Sequence, residues 1–215
     1  MGKAEARTPA RIICWGDSIT NGVRPGVAEE ETYVYLLQQR FMEVEISNAG
    51  LGGERTDMAL ARLESDIIAR KPTAVTIMYG TNDAAVNQGE SEPRLPLTAY
   101  EANLREIVGQ LRGAGIRPVL MTPIPLGRKF DYMAWSPYRE RGPNYVMYPY
   151  VQAVRRVACE EGAALVDNFA YWAELALLGT DLDSLMTDGC HPNPAGHRAI
   201  VEAMWRVVEA VVRGE

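Results

Sequence analysis

Apolar residues along the chain fall into two alternating patterns. Short apolar runs bounded by Gly, Pro or polar residues predict buried strands at Arg11–Gly16, 44–48, 74–79, 118–122 and 164–167. Between them, stripes at helical spacing predict helices. Val34, Leu36, Leu37 and Phe41 mark one over 32–41. Met58, Ala61, Leu63, Ile67 and Ile68 mark another over 55–70, stopped by Pro72. Further helices are expected over 98–112, closed by Gly113 and Gly115, and over 145–161, closed by Gly162. A short one is expected over 170–178 and a last one over 195–212.

Strands that alternate with helices predict βαβ units and a parallel sheet covered on both faces. Five strands fit a flavodoxin-like α/β fold, a three-layer α/β/α sandwich. In such sheets ligands sit beyond the carboxyl ends of the strands. Residues 1–10 are polar and read as a flexible N-terminus. Residues 11–215 read as a single domain, since 215 residues with no repeat or linker suit one core.

Composition narrows the classes. Apolar residues make up 47 % and charged residues 23 %, as in an ordinary globular protein rather than a disordered chain. The formal charge of −6 argues against a nucleic-acid partner. Cys14, Cys159 and Cys190 form no CxxC pair and no disulfide framework, so reduced thiols in a cytoplasmic protein are expected. There is no secretory apolar region near the start and no run long enough to span a membrane.

The residues capable of chemistry follow the strands. Gly16-Asp17-Ser18-Ile19-Thr20 puts a Ser just past the first strand, where it is either an exposed nucleophile or a helix cap. Asn48-Ala49-Gly50-Leu51-Gly52-Gly53 offers backbone N–H groups, to phosphate or to an oxyanion. Gly80-Thr81-Asn82-Asp83 follows the third strand, where Asn and Asp also serve as turn and cap residues. The chain has two histidines, so an imidazole base is His191 or His197. Asp188 precedes His191 by three residues, a spacing that lets its carboxylate accept Nδ1–H and leaves Nε2 facing a nucleophile. His197, inside the last helix, reads as structural. Cys190, His191, His197 and Asp188 are potential metal ligands, but no HExxH or CxxC spacing supports a metal site.

These three blocks and a fourth, Asp188-Gly189-Cys190-His191-Pro192, in this order and across nearly the whole chain, resemble the GDSL esterase/lipase family, the SGNH hydrolases. Ile19 stands where the family has Leu. The resemblance implies an SGNH hydrolase fold and a serine esterase working through an acyl-enzyme, with no metal or organic cofactor. It implies Ser18 as nucleophile, His191 as general base and Asp188 as the residue orienting the imidazole. The oxyanion hole would comprise the backbone N–H of Ser18, that of Gly53 (Gly52 being the alternative) and the side chain of Asn82. Asp17 and Asp83 would hold the loops.

The partner expected is a small-molecule ester. Residues 123–150 read as a long structureless connection carrying Phe130, Tyr132, Trp135, Tyr138, Tyr145, Tyr148 and Tyr150, a binding loop or a segment pinned to the core. Arg128, Lys129, Arg139 and Arg141 either meet an anionic substrate or are solvated. Residues 84–97 read as a polar rim with Glu90, Glu92 and Arg94. A shallow polar rim favours acetyl esters such as acetylated carbohydrates. Longer acyl chains, as in a lysophospholipase or thioesterase, are the alternative, followed by a non-catalytic flavodoxin-like binding domain.

Overall fold

The five expected strands form in one parallel sheet. The computed structural model describes residues 10–214, so the expectation for residues 1–9 lies outside the described residues. The elements follow in the order β1 (Arg11–Gly16), α1 (Ser18–Asn21), α2 (Tyr33–Arg40), β2 (Glu45–Gly50), α3 (Thr56–Arg62) and β3 (Ala74–Met78). Then come α4 (Leu97–Gly113), β4 (Arg117–Met121), α5 (Tyr138–Arg141), α6 (Tyr148–Glu161), β5 (Ala164–Val166), α7 (Asn168–Leu177) and α8 (Pro194–Arg213). The strand order is β2-β1-β3-β4-β5. Every pairing is parallel. This is the flavodoxin-like order of a doubly wound sheet.

Side chains that alternate along the strands feed two cores. Ile13, Trp15, Val75, Ile77 and Leu120 pack against α3, α4 and α6. Ile12, Cys14, Met78, Val119 and Met121 pack against α2, α7 and α8. A period of two on a sheet covered on both faces makes most positions of the central strands apolar, which is why those runs look continuous. Helix α8 shows the matching helical logic. Asn193 caps it by accepting from Ala195 N–H and Gly196 N–H, Pro194 opens it, and Gly214 closes it in the left-handed region.

Two expectations need correction. The helix expected over 55–70 is regular only to Arg62. It continues as a wide π turn over Leu63–Ile67 and a tight 3-10 turn over Ile68–Arg70, and left-handed Lys71 ends it. The wide turn keeps Leu63 and Ile67 both fully buried, and the local change of period serves the core. The connection over 123–150 is not structureless. It contains a 3-10 turn at Asp131–Ala134 and α5, and α6 begins three residues later than its apolar stripe suggested. Among the described residues no helix is long and apolar enough to cross a membrane.

Candidate active site

All four sequence blocks end at the carboxyl edge of the sheet. β1 runs straight into Asp17, whose side chain caps α1 by accepting from Ile19 N–H at 2.9 Å. Asp17 therefore takes the capping role considered for Ser18, which becomes the first residue of the helix. A first-turn N–H has no acceptor within its own helix. The tight approach depends on Gly16: a Cβ there would fall 2.2 Å from Thr20 Oγ1 and 2.6 Å from the Met78 carbonyl.

The loop before α8 supplies the opposing groups. Ser18 Oγ lies 2.9 Å from His191 Nε2, and His191 Nδ1 lies 2.7 Å from Asp188 Oδ2. Asp188 Oδ1 accepts from the backbone N–H of His191 at 2.8 Å and of Cys190 at 3.0 Å. These bonds require a sharp turn at Gly189, which has a φ of +78° and leaves no room for a Cβ beside Phe130 N. The structure thus brings together the three residues expected from the sequence.

Electrostatics fit proton transfer. Burial depresses the His191 pKa, and the Asp188 carboxylate offsets only part of that, so the imidazole is neutral near pH 7. Burial opposes ionisation of Asp188. The His191 and Cys190 N–H groups and the His191 ring outweigh it and hold the carboxyl below its ordinary value.

Asn82 lies beside Ser18 and lines the same pocket. Its Nδ2 donates to Asp17 Oδ2 and to the Glu54 carbonyl, each at 3.2 Å, and Arg94 Nη1 reaches its Oδ1 at 3.4 Å. Burial, with Asp83 and Glu54 nearby, pushes the Asp17 carboxyl up to about 7. Asp83 holds the start of α3, which follows the second block: its Oδ1 accepts from Thr56 N–H at 2.9 Å and from Thr56 Oγ1 at 2.7 Å. Gly52 and Gly53 are both exposed, and Gly53 has a φ of +75°. His197 is fully buried and its Nδ1 accepts from Tyr33 N–H at 3.2 Å, away from Ser18. Among the described residues no three His, Cys, Asp or Glu side chains converge to hold a metal ion.

A pocket of about 230 Å³ opens over Ser18 and His191, walled by Thr81, Ala85, Arg94, Phe130, Tyr132 and Cys190. Residues 84–97 are less polar than expected: Ala84, Ala85, Val86 and Leu95 are buried. Of the long connection, Phe130 and Tyr132 reach the pocket, stacked at 4.5 Å between ring centroids, whereas Tyr138 is buried in the core and Tyr145 is exposed. Arg128, Lys129, Arg139 and Arg141 are exposed and lie outside the lining of this pocket, as the solvated reading has it. Arg128 bonds Asp181 and Asp183, Arg139 bonds Glu140, and Arg141 bonds the Tyr145 hydroxyl. Arg94 was grouped with the rim in the sequence and instead forms a wall of the pocket, with Tyr132 Oη accepting from its Nη2 at 2.7 Å.

The profile of the GDSL-like Lipase/Acylhydrolase family matches residues 14–199. The chain belongs to that family. Among its relatives, the acetylxylan esterase of Geobacillus stearothermophilus is 30 % identical over 92 % of this chain and 93 % of its own length. The bovine isoamyl acetate-hydrolyzing esterase 1 homolog (Bos taurus) is 29 % identical over 94 % of this chain and 82 % of its own. The crystal structure of Axe2, an acetylxylan esterase from Geobacillus stearothermophilus, superimposes with a TM-score of 0.72 at 28 % identity, covering 92 % of this chain and 93 % of that one. The sheet and its surrounding helices are the SGNH hydrolase fold, and the protein is a carboxylic ester hydrolase.

Proposed function

We propose that the protein hydrolyses small-acyl esters, acetyl esters above all, through an acyl-enzyme on Ser18. The observation that carries this reading is the continuous chain from Ser18 Oγ to His191 Nε2 and from His191 Nδ1 to Asp188, facing a pocket of about 230 Å³. His191 takes the Ser18 proton as Oγ attacks the ester carbonyl. Asp188 holds the tautomer and stabilises the imidazolium that forms. The Ser18 N–H, the Gly53 N–H and the Asn82 amide receive the oxyanion. His191 then returns the proton to the leaving alkoxide, and a water activated by the same imidazole releases the acid.

The pocket supports a short acyl group. Phe130 and Tyr132 narrow it, and Arg94 and Thr81 give it polar walls poorly suited to a long alkyl chain. Likeness to the acetylxylan esterase favours acetylated carbohydrates as substrates, and the Phe130–Tyr132 pair offers a stacking surface for a sugar ring.

Hydrolysis of p-nitrophenyl esters from acetyl to palmitoyl tests the reading. The rate is expected to fall steeply beyond short acyl chains. Ser18→Ala is expected to lose turnover to the residual level left by binding and the oxyanion hole, roughly 10³-fold or more below wild type. A rate that holds or rises with chain length favours a lipid or thioester substrate. Unchanged turnover in Ser18→Ala removes Ser18 as nucleophile.

A further inference from the structure

We propose that Arg24 is a positioning residue that extends the triad to a fourth member, holding Asp188 against His191 and tempering the basicity of that imidazole. This rests on the triad reading above. Arg24 Nη1 donates to Asp188 Oδ2 at 3.1 Å, the same oxygen that faces His191 Nδ1 at 2.7 Å. With Oδ1 held by two backbone N–H groups, both carboxylate oxygens are filled by donors and the carboxylate cannot rotate away from the imidazole.

The local sequence builds this contact. Arg24-Pro25-Gly26-Val27 closes on itself, with Val27 N–H donating to the Arg24 carbonyl at 2.9 Å and Arg24 N–H to that of Val27 at 3.2 Å. Pro25 and left-handed Gly26, with a φ of +86°, occupy the two central positions, as a type II turn requires. The turn fixes the backbone of Arg24, and its guanidinium is mostly shielded, with 20 % of the side chain exposed. Asp188, its partner, has 48 % of its side chain exposed, so water screens the pair in part and the contact works chiefly through the oxygen it shares with His191.

The guanidinium acts on His191 in one direction. It takes up part of the negative field of Asp188 and adds positive charge beside the ring, and both disfavour the imidazolium. Its charge lowers the His191 pKa, alongside the larger effect of burial. Other groups also face the ring or its acid. Asp188 and Cys190 come from the same loop, Ser18 from the β1 end, and Arg94 and Asp131 from the pocket wall; Asp17 acts on Cys190, and His197 of α8 feels the charge of Arg24. Of these, Asp188 stabilises the imidazolium, and Arg24 is the cation bonded to that carboxylate. The expected gain is a base that stays neutral further into acid. The cost is an imidazolium held somewhat less tightly in the transition state.

The test reads His191 directly. With two histidines in the chain, their imidazole signals can be followed by NMR against pH in Arg24→Gln, Arg24→Met and Arg24→Lys, assigned through His197→Gln. Loss of the charge is expected to raise the His191 midpoint by about half a unit to one unit. The acid limb of kcat/KM should move with it. Arg24→Lys is expected to keep the wild-type midpoint. An unmoved midpoint in both neutral variants, or an equal rise in Arg24→Lys, overturns the proposal. The NMR midpoint needs no turnover, so a failure of the esterase reading, seen as unchanged hydrolysis by Ser18→Ala, remains distinguishable.

Discussion

Asn82 gives both side-chain N–H groups to acceptors of the protein, Asp17 Oδ2 and the Glu54 carbonyl, at 3.2 Å each. These bonds are long, and an arriving oxyanion would be a stronger, charge-bearing acceptor for the same donor. In the proposed oxyanion hole, the two contacts would hold the amide in place until charge develops. If it acts as proposed, Asn82→Ala should lower kcat by about 10²–10³ with little change in KM, measured by steady-state ester hydrolysis. Asp17 carries a second prediction. Its folded pKa of about 7 lies above the ordinary value of 3.8, so the folded protein binds that proton more tightly than the unfolded chain. Stability from this group is complete below pH 4 and is lost as pH rises toward 7. Asp17→Asn keeps an oxygen to cap α1 but has nothing to ionise. The melting temperature of wild type minus that of the variant should therefore fall between pH 4 and 7 and level off above, in thermal melts at each pH. That Ser18, Asp188 and His191 come together was readable because the family's blocks keep their order along the chain and each follows an element end. The contacts of Asn82, Arg24 and Arg94 were not, since they join segments far apart in sequence.

Among the elements, α3 and the loop before it show how local structure serves the site. Glu54 is buried and accepts from Arg62 Nε at 2.6 Å and from the Tyr79 hydroxyl at 2.6 Å. Arg62 also donates to the Ala49 carbonyl at 2.8 Å. The pair thus ties the glycine-rich second block to β2, β3 and Asn82. In the sequence, Arg62 lies off the apolar stripe over 55–70, and nothing in the spacing shows that its partner is buried. The helical stripe around it was legible, but the switch to a wide turn at Leu63 was not, because a one-residue change in period is decided by tertiary packing. The long connection was obscure for a similar reason: its short turns are held by contacts such as the Tyr138 hydroxyl accepting from Val86 N–H, 52 residues away. Arg62→Ala leaves the Glu54 carboxylate buried without its ion partner, a change that typically costs about 3–5 kcal/mol. Urea unfolding should show that loss, with a smaller loss for Glu54→Gln, which leaves no unpaired negative charge.

At the scale of the molecule, the sheet separates chemistry from scaffold. The alternation of runs and stripes made the α/β class readable, and the parallel sheet then puts every βα connection at one edge. The opposite edge is built from the strand beginnings. There an open depression of about 750 Å³, larger than the pocket at Ser18, is lined by Arg112, Arg117, Cys159 and Val211. Size alone would favour it as a site. Chemistry does not, for it lies at the amino ends of β4 and β5, whereas Ser18, Asn82 and His191 lie beyond carboxyl ends. Strands of five or six residues put about 17–20 Å between the two edges. The cysteines report on this separation. Cys159 is exposed at the depression, while Cys14 and Cys190 are buried, and burial pushes the Cys14 thiol up to about 12 and raises that of Cys190 as well. Native protein should therefore react with one equivalent of a thiol reagent, at Cys159. A bulky maleimide there should leave the kcat and KM of ester hydrolysis unchanged, although Cys190 walls the reactive pocket. If modification of Cys159 alone abolished turnover, the depression at the amino edge would belong to the working site, and the assignment of all chemistry to the carboxyl edge would be wrong.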